Sequence, residues 1–323
     1  MSKLRLTVIG GGSVGLVMAA SLALAGIDLT LLARGPAVGQ LRRDGIEVTG
    51  VLGTHTVAPG TIAIDDADRP DAASLDCDVL IVATKAYQLA GVLRPIAAKA
   101  GDTAAPRTIL LLQNGWGSAD EARAMMPGAT AIFSSVMLIG SERRSARQVN
   151  INVQAGPVRI GSLFGSASDV IRALIAAAAN GILPMVYDEK IEQAILSKFL
   201  FNNCLNASGA LTGKTYGELL SNPHSRRLII DLADEAIRVL AAARDYQAAE
   251  GGAHYVENIL TPLVIPKAAA HRSSMLQDVE AGRRTEIDYL NGAVASMGHA
   301  CGIATPVNEA ILALIHARER NGW

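Results

Sequence analysis

The chain has 323 residues, which is long enough for about two domains of roughly 150 residues each. Half of the residues are apolar, 18% are charged and the formal net charge is −1, which fits a compact globular protein and argues against a disordered chain or a nucleic-acid partner. Its three cysteines, Cys77, Cys204 and Cys301, lie far apart, so the sequence predicts neither a metal site nor a disulfide framework, and we expect a cytoplasmic location.

The first predicted elements are a strand, a glycine-rich turn and a helix. Residues 4–9 are mostly apolar, as in a strand buried on both faces of a parallel sheet, and residues 16–25 are good helix formers. The turn between them reads Gly10-Gly11-Gly12-Ser13-Val14-Gly15. In this setting, G-x-G-x-x-G glycines let a dinucleotide pyrophosphate approach the helix N-terminus. The sequence therefore predicts dinucleotide binding, with a plain glycine-rich turn as the alternative.

The same stretch has some features of a secretory signal, since Lys3 and Arg5 precede an apolar run that ends in Ala23-Leu24-Ala25. We reject this interpretation because cleavage there would remove the strand, the turn and the helix together. No apolar run elsewhere reaches the roughly 20 residues that cross a bilayer, so no membrane association is expected.

The second predicted strand, residues 28–33, is followed by Arg34. NAD enzymes of this type usually carry an acidic residue here, on the ribose 2′-hydroxyl. A guanidinium can instead make two hydrogen bonds to a 2′-phosphate. The position favours NADP(H) as the cofactor, and the alternative is a solvated surface arginine.

Two further predicted strands, residues 78–83 and 108–112, end in polar residues. Because open α/β sheets bind ligands at the carboxyl ends of their strands, we expect Lys85 to reach the cofactor and Asn114 to reach cofactor or substrate. A solvated lysine and a simple Asn-Gly turn are the alternatives. Residues 149–153 and 157–160 alternate in polarity and predict additional strands.

Beyond about residue 188, helical patterns replace the strands, at residues 191–209, 226–247, 276–301 and 308–320. The sequence predicts an α/β protein with an N-terminal Rossmann-type parallel sheet domain, residues 1–188, that binds NADP(H). An all-helical C-terminal domain, residues 189–323, would bind the substrate, with the site in the cleft between them. The apolar C-terminal helices also make a homodimer a reasonable expectation.

Several polar side chains of the second domain are candidate ligands. Lys198, Asn202 and Asn206 are spaced by four residues and share one side of a mainly apolar helix, which favours a ligand-facing stripe over a solvent face. Ser274, with Gln277, fits a capping box as well as a substrate contact. Glu286 is predicted inside the helix that follows, where a surface position and a catalytic one are equally consistent with the spacing.

These residues resemble the ketopantoate reductases (2-dehydropantoate 2-reductases) over nearly the whole chain. The resemblance rests on the glycine turn, Ala33-Arg34-Gly35, Thr84-Lys85-Ala86-Tyr87-Gln88, Leu112-Gln113-Asn114-Gly115, the Lys198 stripe, Gly217-Glu218-Leu219 and residues 274–292. It implies that NADPH binds the first domain. It also implies that a 2-oxo acid, ketopantoate, is reduced to pantoate on the route to pantothenate and coenzyme A.

The resemblance also implies a role for each candidate residue. These roles are proton donor for Lys198, substrate ligand for Asn202 and Asn206, substrate carboxylate contact for Ser274, a position at the junction of substrate and cofactor for Glu286, cofactor and substrate contact for Asn114, and cofactor contact for Lys85. Hydride from the nicotinamide would reach C2 of the substrate while the lysine protonates the oxygen. No metal is required.

The chain departs from the family pattern in two respects. Tyr216 stands where the enzymes it resembles have an asparagine before Gly-Glu-Leu, and their usual aromatic residue near Lys198 is missing. These departures concern the substrate more than the reaction. The alternatives are therefore a reductase of another branched 2-oxo acid, an imine reductase of the opine-forming type, and an NADPH sensor without turnover.

Overall fold

The computed structural model describes residues 4–99, 106–129, 131–166 and 169–321. Contacts within the chain divide it into two compact units. The first unit contains the chain up to Gln113 and Ser118–Glu192, and the second contains Asn114–Gly117 and the chain from Gln193 onward. The units divide between Glu192 and Gln193, whereas the sequence boundary is drawn after residue 188. The assignment of residues 1–188 and 189–323 to two separate domains stays a prediction.

The first unit alternates strands and helices. Its strands are β1 (Arg5–Ile9), β2 (Asp28–Ala33), β3 (Ile46–Gly50), β4 (His55–Val57), β5 (Ala63–Asp66), β6 (Val79–Val82), β7 (Thr108–Leu111), β8 (Ala131–Val136), β9 (Ile139–Arg143), β10 (Gln148–Gln154), β11 (Val158–Gly161) and β12 (Met185–Tyr187). Its helices are α1 (Ser13–Leu24), α2 (Pro36–Asp44), α3 (Ala72–Leu75), α4 (Leu89–Lys99), α5 (Ser118–Met125) and α6 (Asp169–Ala177). The strands predicted at 149–153 and 157–160 are thus confirmed as β10 and β11.

The main sheet has eight strands in the order β12-β11-β8-β7-β6-β1-β2-β5. Every pair from β8 to β5 is parallel, which confirms the predicted Rossmann-type sheet. At one edge β11 pairs antiparallel with β8, and β12 runs parallel to β11, so the sheet is mixed rather than wholly parallel. A second sheet has the order β4-β3-β10-β9.

The position of α1 explains its composition. This helix is apolar on all sides, and its residues from Gly15 to Ala23 are all buried. It contacts β1 and β2 of the main sheet and β3, β4, β9 and β10 of the smaller sheet. Because it is enclosed by two sheets, it has no solvent face that would need polar side chains.

The second unit is helical. Its elements are α7 (Ile191–Thr212), whose first two residues belong to the first unit, α8 (Tyr216–Ser221), α9 (Pro223–Arg244), α10 (Gly252–Tyr255), a π-helical stretch (Val256–Val264), α11 (Ile265–Ala268), α12 (Ser274–Glu280), a 3₁₀ turn (Ile287–Tyr289), α13 (Asn291–Ala300) and α14 (Pro306–Asn321). Helix α7 continues three residues beyond the predicted end at 209, and Gly213 then follows with a φ of +72°. A left-handed residue of this kind is a common helix terminator.

The prediction of a single helix over residues 276–301 is wrong. The structure divides this stretch into α12, the 3₁₀ turn at Ile287–Tyr289, and α13. Helix α12 ends at Glu280, and Gly282 takes a φ of +63°, which a continuing right-handed helix does not allow. The apolar periodicity continued across the break because the residues on both sides pack into the same core.

Within the described ranges, no helix combines the length and the apolar character that crossing a membrane requires. In the same part of the chain, no group of three or more His, Cys, Asp or Glu side chains is arranged to hold a metal ion.

Candidate functional site

The glycine turn of the first unit joins β1 to α1. Gly10 has a φ of +122°, and a Cβ there would lie 2.8 Å from the carbonyl oxygen of Ala83. A Cβ on Gly15 would lie 1.8 Å from the carbonyl oxygen of Gly10. Both glycines are therefore required by the fold itself, as the sequence predicts for a tight turn and close helix–strand packing.

Gly12 differs from its neighbours because the fold does not require it. It is the N-cap of α1 in an extended conformation, and a Cβ built on it would meet no described heavy atom within 4 Å. The amide groups of the first helical turn, beginning at Ser13 and Val14, lack intrahelical acceptors and can donate to an anion. Open space beside such donors fits the pyrophosphate of a dinucleotide. Contact of the cofactor with Gly11 and with these residues stays a prediction.

Polar groups without partners lie just beyond two neighbouring parallel strands. The Thr84 hydroxyl follows β6 and the Gln113 amide follows β7, and both are buried with no hydrogen-bond partner among the described residues. Burying an amide without a partner is costly, so these groups are suited to meet a ligand. Lys85, next to Thr84, is half-buried, and its backbone N–H donates to Gln88 Oε1 at 3.2 Å.

Arg34 follows β2 as predicted, and its guanidinium forms an ion pair. Its Nε lies 2.9 Å from Asp68 Oδ1, and the two side chains are 49% and 60% exposed. Sequence reasoning missed Asp68, because an ion pair between residues 34 positions apart leaves no local pattern.

Lys198 and Asn114 are brought together in the second unit. The Lys198 ammonium donates to Asn114 Oδ1 at 2.7 Å. Desolvation lowers the pKa of Lys198 to about 8, while the negative charge of Glu286 acts in the opposite direction and raises it. Two other predicted residues, Asn114 and Glu286, thus act on the Lys198 ammonium.

Asn202 and Asn206 continue along α7 from Lys198. They are only 6% and 3% exposed. Asn206 Oδ1 accepts a hydrogen bond from the Tyr216 hydroxyl at 2.9 Å, which leaves its Nδ2 group as a donor. With Lys198 they keep the four-residue spacing that places all three side chains on one side of α7. A contact of Asn202 and Asn206 with a substrate stays a prediction.

The predicted cap at Ser274 is displaced by one residue. Ser273 is the N-cap of α12, and its Oγ accepts from the Leu276 N–H at 3.0 Å. The same hydroxyl donates to the Asn206 carbonyl at 3.1 Å and so ties the start of α12 to α7. Gln277 donates to the Arg272 carbonyl instead of closing a capping box. Ser274 is half-buried and does not serve as the cap. Helix capping, the alternative to its predicted substrate contact, therefore does not apply, and the substrate contact stays a prediction.

Glu286 does not lie inside a helix, contrary to the prediction, but immediately before the 3₁₀ turn. It is 6% exposed. The preceding residue is fixed on both sides: the Thr285 N–H donates to Glu319 Oε1 at 2.6 Å, and the Thr285 hydroxyl accepts from the Ile287 N–H at 3.2 Å. Such anchoring gives this carboxylate a defined position beside Lys198.

The segment that carries Asn114 is held against the same turn. The Trp116 N–H donates to the Tyr289 carbonyl at 3.0 Å, and the Arg244 guanidinium lies over the Trp116 ring at 4.7 Å. Gly115 has a φ of +90°, and a Cβ on it would lie 2.3 Å from the Tyr289 carbonyl oxygen. The Asn-Gly pair predicts a turn here, but the sequence contains no signal for its partner.

A buried polar network, which the sequence does not predict, supports α7 from behind. The Glu235 carboxylate accepts from the Val307 and Asn308 N–H groups, both at 2.9 Å, and from Asn308 Nδ2 at 2.8 Å. Asn308 Oδ1 accepts from Asn291 Nδ2 at 2.9 Å, which also donates to the Asn203 carbonyl at 3.3 Å. A negative charge is thereby placed at the N-terminus of α14, where the helix dipole favours it.

Comparisons with known proteins cover nearly the whole chain. A family model described as ketopantoate reductase PanE/ApbA matches residues 6–165, and its C-terminal counterpart matches residues 190–319. The 2-dehydropantoate 2-reductase of Aquifex aeolicus is 27% identical over 317 residues, covering 98% of this chain and 97% of that protein. That of Pyrobaculum aerophilum is 30% identical over 251 residues, covering 78% and 80%.

A solved D-mandelate dehydrogenase, with NADH and anilino(oxo)acetate, also has a similar fold. Its TM-score is 0.83 at 22% identity, and the match covers 98% of each chain.

Proposed function

Because this chain belongs to the ketopantoate reductase family of dinucleotide-binding oxidoreductases, we propose that it reduces a 2-oxo acid to a 2-hydroxy acid with NADPH. The proposed substrate is ketopantoate, and the product pantoate would serve pantothenate and coenzyme A synthesis. The observation that carries this proposal is the Lys198 ammonium, which donates to Asn114 Oδ1 at 2.7 Å and lies on the same side of α7 as the buried residues Asn202 and Asn206.

The chemistry of a 2-oxo acid reduction matches these groups. A bound nicotinamide supplies the hydride that is added to the carbonyl carbon of the substrate. The carbonyl oxygen becomes negative as this occurs, and the Lys198 ammonium stabilises that charge and donates the proton that neutralises it. Asn114 orients the ammonium through its Oδ1, and Glu286 favours its protonated form. These two residues therefore keep the donor charged in a desolvated position.

The remaining polar groups are assigned to the substrate. The Nδ2 donors of Asn202 and Asn206 suit a carboxylate or hydroxyl oxygen, and the Ser274 hydroxyl adds a further donor at the start of α12. Buried donors of this kind discriminate strongly against analogues that lack the matching oxygen.

NADP(H) rather than NAD is the proposed cofactor. The glycine turn and the first α1 amides would hold the pyrophosphate, while the guanidinium of Arg34 and the ammonium of Lys85 would carry the positive charge that a 2′-phosphated cofactor requires. The open space at Gly12 and the unpartnered Thr84 and Gln113 groups beyond β6 and β7 support a dinucleotide, and the choice of NADP(H) rests on the cation Arg34 after β2.

The experiment is a kinetic panel on the purified full chain. NADPH and NADH are each tested with ketopantoate, with other branched 2-oxo acids, and with 2-oxo acids plus an added amine. We expect the highest kcat/KM for NADPH with ketopantoate. Turnover that requires the amine would indicate imine reduction, and NADPH binding without turnover of any substrate would indicate a sensor. A kcat/KM several orders of magnitude higher on another 2-oxo acid would reject ketopantoate and retain the reaction.

An aryl 2-oxo acid is a second candidate substrate, and Tyr216 is the observation that favours it. This ring is 2% exposed, packs edge-on to Phe201 at a centroid distance of 5.4 Å, and lies 5.1 Å from the His271 ring. An aromatic cluster thus stands where the family pattern has an asparagine. Phenylglyoxylate, the oxo acid that corresponds to mandelate, therefore belongs in the panel beside ketopantoate.

A further inference from the structure

Arg34, the residue assigned to the 2′-phosphate, already has an anionic partner within the first unit. Its Nε lies 2.9 Å from Asp68 Oδ1. A guanidinium that is to bind a phosphate must do so beside this carboxylate or break its ion pair with it. An exposed ion pair is weak, so the exchange is possible, but the carboxylate remains a competitor with negative charge.

The backbone fixes Asp68 beside Arg34. Strand β5 pairs with β2 so that Asp66 lies opposite Ala33, and the Ala67 N–H donates to the Ala33 carbonyl at 2.8 Å. The Asp68 N–H then donates to Asp66 Oδ1 at 3.0 Å. The turn after β5 therefore holds the carboxylate at the carboxyl end of β2.

The end of β2 is the position from which acidic side chains select the ribose 2′-hydroxyl of NAD. Here the turn after the neighbouring strand β5 contributes such a carboxylate, while the residue that follows β2 contributes the cation. We propose that Asp68 is a specificity-determining residue that, by engaging Arg34, lowers the preference of this protein for NADPH over NADH. This inference rests on the proposed cofactor site and adds that discrimination there is weaker than Arg34 alone would give.

The test compares Asp68→Asn with the unchanged protein in equilibrium titrations of NADPH and NADH without substrate. Asparagine keeps the size of the side chain and removes its charge. We expect the Kd for NADPH to fall about 10-fold and the Kd for NADH to stay constant or rise, with the effect shrinking in high salt. In an Arg34→Gln background the same change should have little effect, because the partner that Asp68 engages is gone.

The matched control is Asp76→Asn. This carboxylate also forms an exposed ion pair in the same unit, with Arg5 at 2.6 Å, but it lies at the opposite end of β1 from the glycine turn. It should leave both dissociation constants unchanged.

The outcomes separate the inference from the proposed function. If the unchanged protein binds NADPH and reduces a 2-oxo acid, but Asp68→Asn leaves the ratio of the two dissociation constants within about twofold, this inference alone is overturned. An equal gain in the Arg34→Gln background would also overturn it, because Asp68 would then act without Arg34. If the unchanged protein binds no NADPH, the proposed cofactor fails, and this inference fails with it.

Discussion

Lys198 lies in a desolvated position, and Asn114 and Glu286 both act on its ammonium group. This environment suits a cation that acts on a substrate. If it stabilises the developing alkoxide, its loss removes an interaction made mainly in the transition state. We predict that Lys198→Ala lowers kcat by roughly 10²- to 10⁴-fold while the Kd for NADPH changes less than about threefold. Lys198→Arg should restore little activity, because guanidinium is a poor proton donor with a different geometry.

The control for this prediction is Lys214→Ala, which removes an exposed lysine of the same unit that pairs with Glu218 at 3.4 Å. It should leave kcat unchanged. Steady-state kinetics and NADPH titration of all three variants, with folding checked by circular dichroism, give the comparison. A folded Lys198→Ala protein with kcat within about threefold of the parent would assign the proton donor elsewhere, with Glu286 the next candidate.

The lowered pKa of Lys198 predicts opposite pH profiles for the two directions of the reaction. Reduction needs the ammonium, which predominates below a pKa of about 8, so kcat/KM for the 2-oxo acid should fall as pH rises through that value. Oxidation of the 2-hydroxy acid needs the neutral amine and should rise over the same range. Lys198→Arg should remove both transitions. Identical profiles for parent and arginine variant would contradict the assignment.

At the scale of elements, the sequence predicts those features that depend on residues close together in the chain. The strand–turn–helix around Gly10 and Gly15 follows from the glycine spacing, because a Cβ at either position would collide with backbone. The sequence pattern does not predict the break after α12, since Gly282 interrupts a stretch whose apolar residues on both sides face one core. The apolar pattern therefore places Glu286 in a helix, whereas the residue before it, Thr285, is anchored to Glu319 by a contact over 34 positions in sequence that no periodicity encodes.

The same comparison distinguishes Gly12, which is proposed to contact the cofactor, from Gly10 and Gly15, which the fold itself requires. A side chain at Gly12 would enter open space, so Gly12→Ala should fold with a thermal midpoint close to that of the parent. We predict that it raises the Kd for NADPH at least about 10-fold, because the methyl group would occupy space needed by the pyrophosphate. Calorimetric titration and thermal unfolding give the two readouts.

Gly91→Ala is the control for Gly12→Ala. This glycine lies exposed in α4, and a Cβ on it would also meet no described atom within 4 Å. Alanine there should leave NADPH binding unchanged and stabilise the helix by roughly 0.5–1 kcal/mol. NADPH affinity that is equal in the two variants would mean that the pyrophosphate does not bind at Gly12.

At the scale of the whole molecule, the chain passes between the two units more often than a single domain boundary near residue 188 predicts. Asn114–Gly117 belongs to the second unit although the residues on both sides belong to the first. Asn114, predicted as a strand-end ligand of the Rossmann domain, therefore serves as the partner of Lys198. The sequence could identify the residue but not its unit, because the contact that decides this lies with Tyr289.

Gly115 makes that arrangement testable. Alanine at Gly115 or at Gly117 would strain a backbone with a φ of +90° or +107°, at a cost of about 1–3 kcal/mol in either case. The two positions differ because a Cβ on Gly115 would also lie 2.3 Å from the Tyr289 carbonyl oxygen, while one on Gly117 would meet no described atom within 4 Å. We predict that Gly115→Ala lowers kcat at least about 10-fold more than Gly117→Ala does, since displacing the segment withdraws Asn114 from Lys198. Kinetics and thermal unfolding of both variants, with Asn114→Ala as the reference for loss of the amide, measure this difference. Equal kcat values in the two glycine variants would mean that the contact with Tyr289 does not position Asn114, and that backbone strain alone accounts for any loss.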